Sequence, residues 1–495
     1  MSQQNQKTTA GQLPVPEVSE PRLPSVLTKT TWLLWIISLG ILALNLWSGE
    51  TPELGSLMVI DGLTVVMWVT VTFFSGIIHS YSRRYMEGSR YKEKFFTYIF
   101  CFTLTVMLLV ASNGFVIFLG MWLLMGLIMS ELIGYDENWT QAKVSESLAR
   151  KYFLASTVSL GVGLTALFTW TGSTTITGTA IHVLHSDSLV LFLAAGSILL
   201  AAMIQSALVP FHSWLMASMT APTPASALMH AGFVNAGGIL LVRFAPVVNF
   251  EPGFMLVVVL AGASSALLGK LMKTVQTDVK GMLGCSTVGQ MGFMIMQAGL
   301  GFFAAAITHL ILHGFYKAYQ FLSSGSNVSH ESPGFSESGD SLGFTAVLVV
   351  AATGLAAAVL FALLTGKGTK LNGGVILTIL VVLTVMDATY RFAALSSVPA
   401  VISYGAVPLI ALPSIVIYAA AYNFVEGMLI GLPAVGQPVD LNAIHAVIGL
   451  AFVAAYLAIE TGIYRRSRRL YVTLLNASRP PNKTVLTEKE DYNEH

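Results

Sequence analysis

The sequence predicts an all-α polytopic membrane protein with about fourteen spanning helices. Three observations carry that prediction. Of the 495 residues, 54% are hydrophobic and only 10% are Asp, Glu, Lys or Arg. Soluble domains carry roughly 25% charged residues. Apolar runs of roughly 20 residues, enough to cross a bilayer as helix, recur along the chain. Lys and Arg concentrate in alternate loops, as orientation in a membrane requires.

In chain order, the spans fall near 31–47, 56–80, 95–112, 113–134, 150–171, 187–208 and 225–248. The remainder fall near 253–273, 278–299, 301–323, 342–365, 371–387, 396–420 and 441–463. Residues 1–30 are polar and proline-rich, without the apolar core of a secretory signal, and read as a disordered tail. The predicted domains are therefore this tail, a bundle over 31–463 and a C-terminal tail over 464–495. Arg83, Arg84, Arg90, Lys92 and Lys94 share one loop. Lys143, Arg150 and Lys151 fall two helices later, Lys270, Lys273 and Lys280 at another alternate connection, and Arg465, Arg466, Arg468 and Arg469 after the last span. This pattern places both termini in the cytoplasm; Lys367 and Lys370 fall on the opposite side and conflict with it.

Two segments read as broken helices. One is QSALVPFHSWLMASMTAPTPASALMH (205–230), with Pro210, Pro222 and Pro224; the other is SSVPAVISYGAVPLIALPS (396–414), with Pro399, Pro408 and Pro413. Proline removes a backbone donor, and a broken helix inside a membrane is tolerated where it lines a polar cavity. Gln205 and His212 of the first segment are candidate cavity-lining groups.

THLILHGFYKAYQFL (308–322) places His309, His313 and Lys317 at i, i+4 and i+8, one face of one helix. A lysine at the centre of a span costs about 2.5–3.5 kcal/mol, so it faces the bundle interior and is a functional candidate by default. Imidazoles exchange protons near neutral pH, so the stripe has the chemistry of a proton relay. A network of satisfied structural groups is the competing reading. His230, among the small residues of ASALMHAGFVNAGG, can join the relay or pack as a helix-helix hydrogen bond. Glu131 lies near a helix end, where an interfacial carboxylate is ordinary. Asp278 and Asp61 stand at helix starts, where N-capping explains a carboxylate. Cys101 and Cys285 lie in apolar segments without metal-ligand spacing and read as buried packing residues. No nucleotide loop, GxSxG elbow or HExxH motif is present, and nothing indicates covalent chemistry by this chain alone.

QSALVPFHSWLMASMTAPTPASALMHAGFVNAGGILLVR resembles the signature of the proton-translocating antiporter-like subunits of complex I and Mrp antiporters. VQTDVKGMLGCSTVGQMGFM and THLILHGFYKAYQFLSSGS resemble the segments that follow it, and the similarity spans roughly 56–325. The resemblance implies two inverted five-helix repeats, each with a broken helix, and assigns His309, His313 and Lys317 to the central relay, with His230 beside it. It also marks two departures. The family's Trp-Glu pair is matched by Trp122 but has Leu123 in place of the glutamate, and the lysine of its first broken helix falls on Gln205. Glu131 is the candidate replacement carboxylate, and Asp278 a weaker one.

LARKYFLASTVSLGVG and LIGYDENWTQA resemble the shorter DabB branch, the membrane subunits of inorganic-carbon transporters. That branch implies a bacterial inner-membrane subunit without a cofactor, paired on the cytoplasmic face with a DabA-type soluble partner. The zinc, in a site like that of a β-carbonic anhydrase, belongs to that partner. Ion flow, of protons or sodium, would energise bicarbonate formation there. An Mrp or complex I subunit and a non-conducting anchor for a soluble enzyme are the alternatives.

Overall fold

The computed structural model describes residues 22–49, 53–183, 189–324, 344–393 and 400–481. Helices follow one another as α1 (Arg22–Ser48), α2 (Gly62–Tyr85), α3 (Lys92–Ala111), α4 (Phe115–Ile133), α5 (Thr140–Thr171), α6 (Ile176–Val183) and α7 (Leu189–Gln205). Short pieces come next: α8 (Ser213–Ala217), α9 (Thr223–Ala231), α10 (Ala236–Arg243) and α11 (Ala245–Val248). Long helices resume with α12 (Pro252–Lys273), α13 (Val279–Gly299), α14 (Phe303–Leu322), α15 (Phe344–Thr365), α16 (Gly374–Ala393), α17 (Ala400–Met428) and α18 (Ala443–Glu460). Two short helices close the described chain, α19 (Ile463–Arg466) and α20 (Arg468–Ser478). A two-residue hairpin, Glu53–Leu54 with Met58–Val59, lies before α2.

Among the described residues, ten helical segments are long and apolar enough to cross a membrane, and α7 and Gly374–Tyr390 are shorter apolar helices. The all-α polytopic expectation stands. Most expected spans match a helix within a few residues. The chain ends differ. α1 begins at Arg22 rather than 31, which removes 22–30 from the expected tail; residues 1–21 and 482–495 lie outside the described residues. The expected C-terminal tail contains α19 and α20, and α20 packs on α12.

Small residues set the closest packing. A Cβ at Gly262 of α12 would lie 2.4 Å from the Met296 nitrogen and 2.6 Å from the Gly292 oxygen of α13. The two backbones therefore touch, as small residues permit where helix association depends on close van der Waals contact.

The first proline-rich segment is broken, as expected. α7 stops at Gln205, the chain unwinds through 206–212, and α9 restarts with Pro224 in its first turn. Side chains and a lysine satisfy the freed backbone groups. Trp214 donates to the Ile204 carbonyl (2.9 Å), Ser206 to that of Val234 (2.6 Å), and the Ser265 hydroxyl accepts from the Val209 nitrogen (3.1 Å). Lys280 Nζ donates to the carbonyls of Met219 and Ala221 at 3.2 and 3.3 Å.

The second proline-rich segment corrects the sequence expectation. Pro408 and Pro413 lie inside a continuous 29-residue α17; Pro399 lies outside the described residues. The reason is the surroundings: Leu409 and Ile410 are 75% and 58% exposed on the bundle's outer face. Facing hydrocarbon, an unwound backbone would strand several polar groups, whereas each proline forfeits one helical hydrogen bond.

Candidate functional site

α14 carries the predicted stripe into the interior. Phe303–Ile307 bury its first turns and Phe321 its last, while Gly314 lets it approach α9: a Cβ there would lie 3.1 Å from the Ala231 carbonyl. Lys317 is fully buried, and its ammonium donates to the Leu283 carbonyl of α13 at 2.9 Å. Among the described residues it has no carboxylate ion-pair partner. The same carbonyl accepts from the Thr287 hydroxyl (2.9 Å), and Thr287 Oγ1 meets His230 Nδ1 at 2.9 Å. Because the Thr287 proton is committed to Leu283, the network assigns His230 the Nδ1–H tautomer and leaves a lone pair on Nε2. The His230 ring stacks on Phe321 with centroids 4.3 Å apart. Lys317 and His230 thus meet through one carbonyl and one hydroxyl.

His313 is buried with neither ring nitrogen hydrogen-bonded, and His309 Nε2 is likewise unpartnered. Their rings stack at 5.7 Å and 14°. Buried polar atoms left unpaired cost about 1–3 kcal/mol each, so this stripe is suited to hold water. His309 also lines a cavity of about 490 Å³ with Lys270, Lys273, Gln290, Tyr316 and Asp387, at the bundle end that carries the basic loops. Lys270 and Asp387 close that mouth with an ion pair at 2.7 Å.

The other predicted residues divide clearly. Gln205 is fully buried with neither amide atom hydrogen-bonded, as a water-lining group would be. Near it in sequence register with the family, Trp122 bonds Ser156 (3.0 Å), and Ser156 bonds the Ala201 carbonyl, which ties α4, α5 and α7 together. Glu131 is a third exposed and pairs with Arg150 at 2.6 Å, in a cluster with Glu146 and Lys143. Asp278 is exposed and caps α13, accepting from the Gly281 nitrogen at 2.6 Å; its candidacy as a channel carboxylate is corrected to a cap. His212 Nε2 donates to the Ala477 carbonyl of α20 (2.8 Å), so that ring faces the C-terminal helix, with Nδ1 unpartnered.

Asp61 caps α2 as expected and also forms a buried ion pair with Arg243. Cys285 is buried, whereas Cys101 lies exposed on α3, contrary to the packing expectation. Among the described residues no group of three or more His, Cys, Asp or Glu is placed to hold a metal ion.

Among the buried groups that went unmarked are Arg243, His445, His79 and Lys367. His79 of α2 is fully buried, its Nδ1 on the Ser75 carbonyl (2.8 Å), beside a Ser75–Thr103 hydroxyl pair at 2.5 Å. Nothing in its sequence context marked it. Lys367 is 2% exposed with no hydrogen-bond partner. Its sequence signal was present, as a positive charge on the wrong side for the orientation rule. Burial removes Lys367 from that conflict, whereas Lys370 in the same loop stays exposed.

Residues 111–403 match the family described as NADH:quinone oxidoreductase/Mrp antiporter, TM, and residues 55–96 match the N-terminus of complex I chain 5. A probable inorganic carbon transporter subunit DabB1 of Halothiobacillus neapolitanus is 36% identical over 292 residues, 58% of this chain and 52% of that protein. The probable DabB of Bacillus subtilis is 39% identical over 318 residues, 60% of each. NADH-quinone oxidoreductase subunit L of Mycobacterium tuberculosis is 36% identical over 272 residues, 54% of this chain and 42% of that protein. The chain spans about half the length of the curated relatives it matches. The Mrp complex of Dietzia sp. DQ12-45-1b shares the fold, with a TM-score of 0.54 at 21% identity over 92% of this chain and 52% of that chain. An archaeal membrane-bound sulfane sulfur reductase does so with a TM-score of 0.56 at 15% identity, over 93% and 92% of the two chains. By the match over 111–403, the chain belongs to the NADH:quinone oxidoreductase/Mrp antiporter transmembrane family.

Proposed function

We propose that this chain is a proton-conducting membrane subunit that couples a cation gradient to inorganic-carbon accumulation by a DabA-type, zinc-bearing partner on the cytoplasmic face. The observation that carries the reading is Lys317: a fully buried lysine whose single hydrogen bond goes to a backbone carbonyl, one hydroxyl away from His230. In this reading that lysine is the proton-carrying group at the centre of the second half. His313 and His309 lead from it to the cavity at the basic end. Gln205 and the unwound 206–212 backbone supply a second wet region in the first half.

Four further helices complete the expected fourteen spans in this reading: α7, α13, α14 and α16. The two halves form inverted repeats, the membrane is the bacterial inner membrane, and both termini are cytoplasmic, as the basic loops direct. Carbon dioxide hydration releases a proton, and inward proton flow through this chain would drive the partner's reaction in one direction. Similarity to the DabB subunits supports this assignment. Equal identity, 36%, to a complex I subunit L supports the second reading, an antiporter or redox-driven pump subunit. The neutral Leu123 and Gln205 support a third, a non-conducting anchor for a soluble enzyme.

The test is inorganic-carbon uptake in cells lacking carbonic anhydrase that express the chain with its DabA-type partner. Uptake abolished by a protonophore and by Lys317→Ala, at equal complex levels, is expected. Uptake absent in the wild type sinks the carbon-transport reading in favour of the antiporter one. Uptake indifferent to Lys317→Ala makes the chain an anchor.

A further inference from the structure

We infer that Lys367, with Tyr422 and Glu426, forms a second proton-exchange station at the bundle end opposite the basic loops, and that it is the outer port of the path through Lys317. The inference rests on the proton-conduction reading and deepens it.

The loop 366–373 between α15 and α16 is shaped to bury this side chain. Gly366 and Gly368 take left-handed φ of +68° and +78° on either side of Lys367, a backbone that other residues adopt at a cost. The Lys367 carbonyl accepts from the Thr378 hydroxyl (3.4 Å), which fastens the loop to α16. Its ammonium lies 3.0 Å from the centre of the Tyr422 ring, with Phe302, Phe361 and Tyr418 at 5.4, 5.7 and 5.9 Å. Tyr422 in turn donates to the Glu426 carboxylate. Four aromatic rings surround the cation, which has no hydrogen bond. α17 contributes the titratable neighbours Tyr418, Tyr422 and Glu426, the loop itself adds Lys370, and α15 and the turn before α14 contribute only phenylalanines.

Two cavities flank the Lys367 cage. One, of about 490 Å³, is lined by Lys367, Lys370, Asn372, Tyr422, Glu426 and Pro438. The other, of about 430 Å³, is bounded by the cage residues Phe361 and Tyr418 and by Gln297, whose buried Oε1 has no partner. That second cavity, which reaches the outer face at Ile410, shares Phe293, Leu380 and Thr384 with the cavity that holds His309. The second and third cavities are thus contiguous, and the cage side chains Phe361 and Tyr418 stand between them and the Lys367 cavity. At 1.5 Å per residue, Phe302 of the cage is about 10 Å along α14 from His309, and His309 about 12 Å from Lys317. Two buried lysines thus bracket the two unpartnered histidines.

Burial holds the Lys367 ammonium well below the ordinary lysine range, at about 7, while Glu426 pulls it up. Lys367 consequently gains its proton when the outer side falls below that pH and yields it above.

The experiment measures proton flux into membrane vesicles carrying the full-length chain with its partner, as a function of pH on the Lys367 side. Wild type, Lys317→Ala, Lys367→Met, Lys367→Arg and Glu426→Gln are compared, with thermal melting as the folding check. Expected are loss of flux in Lys317→Ala and in both Lys367 variants, because arginine keeps the cation in its cage but cannot release a proton. Glu426→Gln is expected to move the flux midpoint to lower pH, and this holds the inference to account even where Lys367→Met folds poorly. Wild-type flux in Lys367→Arg, or an unmoved midpoint in Glu426→Gln, overturns the station and leaves the Lys317 reading intact. A wild type that passes no protons overturns the conduction reading and the station with it.

Discussion

The two halves of the bundle solve the problem of polar groups in hydrocarbon in opposite ways. The first half breaks a helix and pairs its buried charge, Asp61 with Arg243. Residues Thr223–Arg243 are 94% buried over their apolar stretch, Gln205 is a buried neutral amide, and the freed carbonyls are caught by Trp214, Ser206 and Lys280. The second half keeps its proline helix whole and places lysines free of ion pairs inside instead. α17 is only 22% buried over its apolar stretch, yet the elements around it hold Lys317 and Lys367 away from any strong ion pair. The difference teaches that unwinding needs protein on every side, whereas a buried lysine needs only a carbonyl or an aromatic face.

The strongest way to break this contrast is Lys317→Ala. If the second half alone holds lysines free of ion pairs, proton flux in vesicles should vanish while the protein still purifies with its partner; preserved flux would move conduction elsewhere. Gln205→Leu should follow, with a partial fall in flux. An unchanged rate would mean that the first half is dry. Gly262→Val addresses the frame both halves share. The added methyls meet the Met296 nitrogen and the Gly292 oxygen, and melting in detergent should report a loss of about 1–3 kcal/mol. Pro408→Ala should have the smallest effect, a slight rise in melting temperature, because α17 is already continuous and gains one hydrogen bond. A loss of flux in that variant would show that the proline pair works as a hinge.

Much of this was legible beforehand, for reasons that separate cleanly. Apolar length fixed most helices within a few residues, since hydrocarbon thickness allows few alternatives. The His309–His313–Lys317 stripe was legible because helix geometry converts spacing into a shared face. Lys367 was not. Its cage is assembled from Phe302, Phe361, Tyr418 and Tyr422, residues brought together only by tertiary packing, and a basic loop residue reads as an orientation marker. Pro408 and Pro413 misled because proline reports what a helix loses, while the surrounding medium decides whether the loss is tolerated. Asp278 and Glu131 were ambiguous for a similar reason: a carboxylate near a helix end can cap, pair or line a channel, and only its neighbours decide.

The hydrogen bond from His212 to Ala477, with that of Gln276 to Ser478 at 2.5 Å, fastens α20 against the broken segment. During synthesis, His212 and the unwound backbone emerge long before their acceptor on α20. Through most of translation the break therefore waits without its brace, and only the arrival of α20 locks it. A protein fused directly behind residue 478 would pull on this brace, so an attached reporter should disturb the first half at a distance in sequence of more than half the chain.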